Sequence, residues 1–258
     1  MKITWYGTAS LSIETALSKI LIDPFLTPRG SENRTSLQDF AGYDTILLTH
    51  GHLDHIQSIP KILEGNEAVV FCTATPAETL ERKGVPGERI MEIQPGIQLA
   101  FRDIRVTVLK GKHIQYDRKL VEKTFLSWRM LRYAYRIPSM FFQNRAFREN
   151  GETVTYLLEA AGKSVLILGS MGLDEEEEYP EKVDILVLPF QGMLDPSLPA
   201  AAVIDRIRPG MVMLDHFDDA FPPFSKTVDT RSLKKLLDKR DPDLCVVKPK
   251  AGKTYCLD

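Results

Sequence analysis

Leu48-Thr49-His50-Gly51-His52-Leu53-Asp54-His55 holds three of the chain's five histidines within six residues. The other two, His113 and His216, lie far away in sequence. A chain that uses histidine so sparingly, then sets three beside an aspartate, points to a metal. Neutral imidazole and carboxylate are the donors that suit zinc, iron and manganese. The H-x-H-x-D-H spacing is a far more specific signal than a lone histidine.

Working outward, a strand predicted over 45–49 delivers His50 at its C-terminal end. Gly51 lets the chain turn sharply. His52 follows two residues later and can share a metal with His50. Asp54 and His55 enter a turn or helix, in which Pro60 suits a first turn. Ligands from separate chain segments leave a coordination position open for water, the arrangement of a catalytic metal. A metal brings the pKa of such a water toward neutrality, and Asp54 beside it can orient the water or take its proton. His113 and His216 each follow a predicted strand, and strand ends on one rim converge on one crevice.

The 258 residues, 43% hydrophobic and 26% charged, can bury a substantial core as one large domain or two small ones. A net charge of −2 argues against a general nucleic-acid binder. Cys72, Cys245 and Cys256 are odd in number and form no C-x-x-C, so a reducing compartment is the simpler reading. No signal-like segment precedes the strand-like opening, and no apolar run nears membrane-spanning length. Together these predict a cytoplasmic protein.

Strands are predicted over 3–6, 10–14, 19–22 and 69–72, with Asp23-Pro24 closing the third because proline cannot continue a ladder. Residues 76–83 read as a helix stopped by Gly84. A hairpin is expected over 97–109, turning at Arg102-Asp103, and a second over 153–168, turning through Ala160-Ala161-Gly162-Lys163. Val183–Leu188 reads as a strand whose run Ile185–Leu188 is apolar, as for a strand buried on both faces. Helices over 199–207 and 233–239 alternate with strands over 211–214 and 245–247. Two sheets face to face with helices outside satisfy this order.

Residues 117–150 depart from it. They carry eight Lys/Arg against three acids, leaving −7 for the remainder, and seven of the 22 aromatic residues, Phe141 and Phe142 among them. Val121, Phe125, Trp128, Leu131 and Tyr135 fall at helical spacing as one apolar stripe, with Pro138 limiting the helix. The segment reads as an added helical hairpin packing its stripe on the core or on a second copy, or as a lid offering arginines to an anionic substrate. Its basic and aromatic residues also suit a membrane surface.

His50-Gly51-His52-Leu53-Asp54-His55 resembles the signature of the metallo-β-lactamase fold superfamily of metal-dependent hydrolases. Ile3-Thr4-Trp5-Tyr6-Gly7-Thr8-Ala9-Ser10, followed by Leu21-Ile22-Asp23-Pro24, resembles the branch of L-ascorbate-6-phosphate lactonase and N-acyl-phosphatidylethanolamine phospholipase D. The resemblance spans nearly all of the chain except 117–150. It implies an α/β fold, a four-layer αββα sandwich formed by 1–258 as one domain, with its site at one edge. By that pattern His50, His52 and His113 hold a first metal; Asp54, His55 and His216 hold a second; and Asp23 orients a ligand histidine.

The sequence departs from the pattern twice. Gly169-Ser170-Met171-Gly172 stands where many members have an aspartate that bridges two metals, and Thr8 stands where this branch often has histidine. Ser170 is a poor bridging ligand, and two cations without a bridging anion repel more strongly. The nearest carboxylates, Asp174 and then Glu175–Glu178, read as a solvated run. One or two ions are therefore expected, zinc first and manganese or iron as alternatives, with the second held weakly. The implied activity is attack of a metal-activated water on an ester, lactone or phosphodiester of a small substrate. A metal-binding sensor without turnover is the competing reading.

Overall fold

Alternation sorts the side chains of the opening strands onto two faces. The computed structural model describes residues 1–115, 117–138 and 144–257. In it β1 (Lys2–Gly7), β2 (Ser10–Glu14) and β3 (Lys19–Ile22) pair antiparallel. Ile3, Trp5, Leu11, Ile13, Ile20 and Ile22 enter one core, while Leu21 enters another on the opposite face. This sheet is therefore covered on both sides. β4 (Thr45–Leu47), β5 (Val69–Cys72) and β6 (Ile90–Glu92) extend it in parallel.

The second sheet is built around β8 (Ile104–Lys112), which pairs with β7 (Gln98–Phe101) and β9 (Val154–Ala160). β10 (Lys163–Leu168) follows, with β11 (Gly172–Leu173) on the far edge of β8. β12 (Ile185–Pro189), β13 (Met211–Asp215) and β14 (Cys245–Val247) then run parallel to β10. β15 (Thr254–Cys256) returns to pair with β1, giving sheets of seven and eight strands.

Inner side chains of the two sheets, such as Trp5 and Ile20 from one and Val106, Tyr156 and Val165 from the other, share one core. On the first sheet's outer face, α1 (Leu53–Ile56), α2 (Ile59–Leu63) and α3 (Ala74–Arg82) bury Ile56, Ile59, Ala77 and Leu80 against Ile46, Leu48, Val70 and Cys72. Pro60 occupies the first turn of α2. Ile185–Leu188 is fully buried, and Ala200, Ile204, Ile207, Leu233 and Leu237 of the last two helices join its cluster. The order is the αββα sandwich.

Most expected elements fall within two residues of their predicted bounds. β4 stops two residues short, because Leu48 and Thr49 turn to bond across the sandwich: the Tyr156 hydroxyl donates to the Leu48 carbonyl at 2.5 Å and the Val154 amide to that of Thr49 at 2.9 Å. β6, β11 and β15 were not expected, being too short to show alternation.

Where the stripe over 121–135 predicts one continuous helix, the described residues form α4 (Arg118–Phe125) and α5 (Trp128–Arg132), with a 3-10 turn at Ala134–Arg136. Ser127 is extended, with φ −79° and ψ 148°, so the helix ends and restarts there. The predicted stripe loses its register and faces solvent instead of the core. Met130 is the buried residue of α5. Phe141 and Phe142 lie outside the described residues. The last two helices are α6 (Ser197–Ile207) and α7 (Arg231–Arg240).

Candidate metal centre

Parallel pairing carries the C-terminal ends of β3, β4, β12 and β13 to their sheets' rims, where the chain leaves as Asp23, His50, Gln191 and His216. One pocket is lined by all five histidines and Asp54, with Ile114, Gly169, Ser170, Pro189, Gln191 and Gly192. The donor atoms of His50, His52 and His113 lie within 4.8 Å of one another, as do those of Asp54, His55 and His216. These are the two trios that the resemblance implied.

Thr49 was not singled out from sequence, yet its hydroxyl organises both trios. It donates to Asp23 Oδ2 at 2.6 Å, while the Thr49 amide donates to Asp23 Oδ1 at 2.8 Å. With its proton committed, the hydroxyl accepts from His50 Nδ1 at 3.0 Å. His55 Nδ1 lies 2.8 Å from Asp23 Oδ2 and donates to it. His113 Nδ1 donates to the Ile114 carbonyl at 2.7 Å. All three rings therefore carry hydrogen on Nδ1 and turn Nε2 to the pocket, bare in the two that burial keeps neutral, His50 and His113. His50 Nε2 meets His52 Nδ1 at 3.0 Å. Asp54 Oδ2 lies 3.3 Å from His216 Nε2, and its Oδ1 3.9 Å from His55 Nε2.

Electrostatics differ between the trios. Burial, reinforced by neighbouring imidazoles, holds His50 well below the usual histidine value, and burial lowers His52 to about 4 and His113 in the same direction. The first trio is thus uncharged and ready to coordinate. In the second, burial alone would raise Asp54, but His55 and His216 outweigh it and keep the carboxylate ionised. Burial alone would likewise lower His55 and His216; Asp23 and Asp54 outweigh it at His55, and the Asp54 contact lifts His216 to about 9. A proton on His216 thus balances Asp54 where a cation would. The donor set, and the buried His216 Nδ1 that has no hydrogen-bond partner, fit a metal centre.

Asp23 sits where the sequence put it, against a histidine of the second trio, but it reaches the first as well through Thr49. Ser170 is buried beside the pocket and accepts the Ile114 amide at 3.1 Å, fixing the segment that carries His113. Thr8 holds His216 by its backbone: its carbonyl accepts the His216 amide at 2.8 Å, and its own amide donates to Asp218 at 3.0 Å. Thr8, Asp23 and His216 all have positive φ, at 55°, 45° and 57°, and strain of this kind concentrates at functional sites.

Two expectations need correction. Gly51 does not use a left-handed conformation; it is glycine because a Cβ there would run into the Arg148 carbonyl oxygen. The acidic run after Ser170 is not simply solvated. Asp174 pairs with Lys110 at 3.0 Å, Glu175 with Lys112 at 3.2 Å, and Glu177 accepts the Lys110 amide at 2.7 Å. It braces the strand leading to His113.

Residues 18–217 match the family model described as the beta-lactamase superfamily domain. A metal-dependent hydrolase of Rhizobium etli is 40% identical over 114 residues, which are 44% of this chain and 48% of that protein. The chain thus spans about half the length of the first curated relatives it matches. One from Methanopyrus kandleri is 24% identical over 260 residues, 99% of each chain. Among solved structures, Igni18, a metallo hydrolase from Ignicoccus hospitalis, aligns over 100% of this chain and 99% of its own with TM-score 0.67 at 19% identity. Zinc-bound PqqB from Methylobacterium extorquens aligns over 100% of both with TM-score 0.61 at 13% identity. With its paired sheets and its histidine-rich rim, the chain belongs to the metallo-β-lactamase superfamily of metal-dependent hydrolases.

Proposed function

We propose that this protein hydrolyses an ester, lactone or phosphodiester bond of a small substrate, using zinc bound by His50, His52 and His113 and, more weakly, by Asp54, His55 and His216. The observation that carries the reading is the convergence of two complete donor trios on one pocket. When bound, the metal supplies Lewis acidity that activates water and polarises the bond under attack.

The chain's residues do the rest. Asp54, kept ionised by His55 and His216, takes the proton of the attacking water on a carboxylate oxygen. Asp23 and Thr49 take the Nδ1 hydrogens of His50 and His55, which leaves Nε2 of each ring as the atom facing the donor cluster. Ile114 and Pro189 give the pocket an apolar wall, and the Gln191 amide can hydrogen-bond to substrate. Ser170 offers no anion between the trios, which favours one tightly held ion over two. The three free cysteines suit a cytoplasmic home.

The test is an ester, lactone and phosphodiester panel on protein loaded with zinc, manganese or iron. Turnover of at least one class is expected, with Asp54→Asn lowering kcat by roughly 10²-fold or more. Metal-loaded protein that turns over no class would favour a sensor or ligand-binding role.

A further inference from the structure

A helix at a protein surface turns its apolar stripe inward. α4 and α5 do the opposite. Leu126 is 87% exposed, Trp128 77%, Leu131 68% and Tyr135 77%. What anchors them is separate: Met130 is buried, the Arg129 guanidinium pairs with Asp219 at 2.5 Å, and Phe125 meets the edge of the Phe224 ring. The outward side chains are therefore free of the duty of holding the hairpin down. Arg118, Lys119, Lys123 and Arg132 flank them, none in an ion pair among the described residues, and Glu122 is the only acid on either helix.

We propose that α4 and α5 dock the protein on an anionic lipid surface. Aromatic rings and leucines enter the headgroup boundary while arginine and lysine stems reach the lipid phosphates. Charge decides among occupants. A two-fold dimer through this patch would set the same four cations against themselves, whereas an anionic membrane opposes them with the complementary sign. The start of α4 is tied to the pocket wall: the Asp117 amide donates to the Gly192 carbonyl at 3.1 Å, and Gly192 lines the pocket. No helix among the described residues is long and apolar enough to cross a membrane.

The chain's two tryptophans make a built-in probe, since Trp5 is 1% exposed and only Trp128 can change surroundings. The 258-residue protein would be mixed with vesicles of phosphatidylcholine alone or with about one-third phosphatidylserine, at low and high salt. The expected result is co-sedimentation at least about tenfold stronger with the anionic vesicles, weakened by salt, with a blue shift of Trp128 emission. Leu126→Ser with Leu131→Ser, and separately Lys119→Glu with Lys123→Glu, should each reduce it by about tenfold while leaving the circular dichroism spectrum and hydrolysis of a soluble substrate unchanged. Equal binding to both vesicle types, binding retained by both variants, or no vesicle binding with a dimer that the leucine variant dissolves, would overturn the proposal.

Discussion

Thr49 is one hydroxyl between two imidazoles and a buried carboxylate, and the state of both trios passes through it. Asp23 accepts from the Thr49 amide and hydroxyl and from His55, and it is 1% exposed. Asparagine tolerates the positive φ of that position, so Asp23→Asn keeps the backbone and removes the charge. It should weaken metal affinity by roughly 10- to 100-fold while the fold persists, read by competition with a coloured chelator. Unchanged affinity would mean that Asp23 only supports the backbone. That these six side chains converge could be read from spacing and resemblance because histidine is scarce here. Thr49 could not, since a threonine at a strand end is ordinary until its neighbours are in place. Gly51 was legible as a necessary glycine but for the wrong reason: its constraint is the Arg148 carbonyl, nearly a hundred residues away in sequence.

At the scale of elements, three strands, β4, β8 and β13, and the segments after them deliver two trios that differ in protonation. The Asp54 carboxylate pushes His216 up to about 9, which favours its protonated form around pH 7.5, whereas burial holds His50, His52 and His113 below the usual histidine value and favours their neutral forms. A cation entering the second trio must displace that proton; one entering the first displaces none. Calorimetry of zinc binding at about pH 7.5, in buffers of differing ionisation enthalpy, should give at least about one proton released for the weaker site, from His216 and in part His55, and close to none for the tighter one. Equal proton release at both sites would contradict this difference. Periodicity placed the long strands well, because burial on two faces writes itself into the sequence. It failed at α4 and α5, where an extended Ser127 interrupts a stripe whose spacing alone looks continuous. Spacing reports which residues would share a face if the helix ran on; it does not report whether the helix runs on.

For the whole molecule, the sandwich sets which groups solvent can reach. Cys72 faces the α1–α3 side of the first sheet, and burial lifts its thiol to about 12, while Cys245 and Cys256 are exposed on short edge elements. An aromatic disulfide reagent should label two of the three thiols in native protein and the third only on unfolding. Three fast thiols would place Cys72 outside the core. The fold class was readable before the structure because the helices and sheets bury different faces of the same strands. The short strands β6, β11 and β15 were not, since they are fixed by partners distant in the chain and carry too few residues to show a pattern.

The central claim is that the two trios hold the metal on which activity depends. Elemental analysis of purified protein, stripped with chelator and reloaded with zinc, tests it most directly when hydrolysis is followed on the same samples. One tightly held ion and a second, weaker one are expected, with activity lost on stripping and restored on reloading, and the tight ion lost when His50 and His52 are both replaced by alanine. Folded protein that takes up no zinc, manganese or iron after reloading would contradict it, as would the same metal content in the double variant.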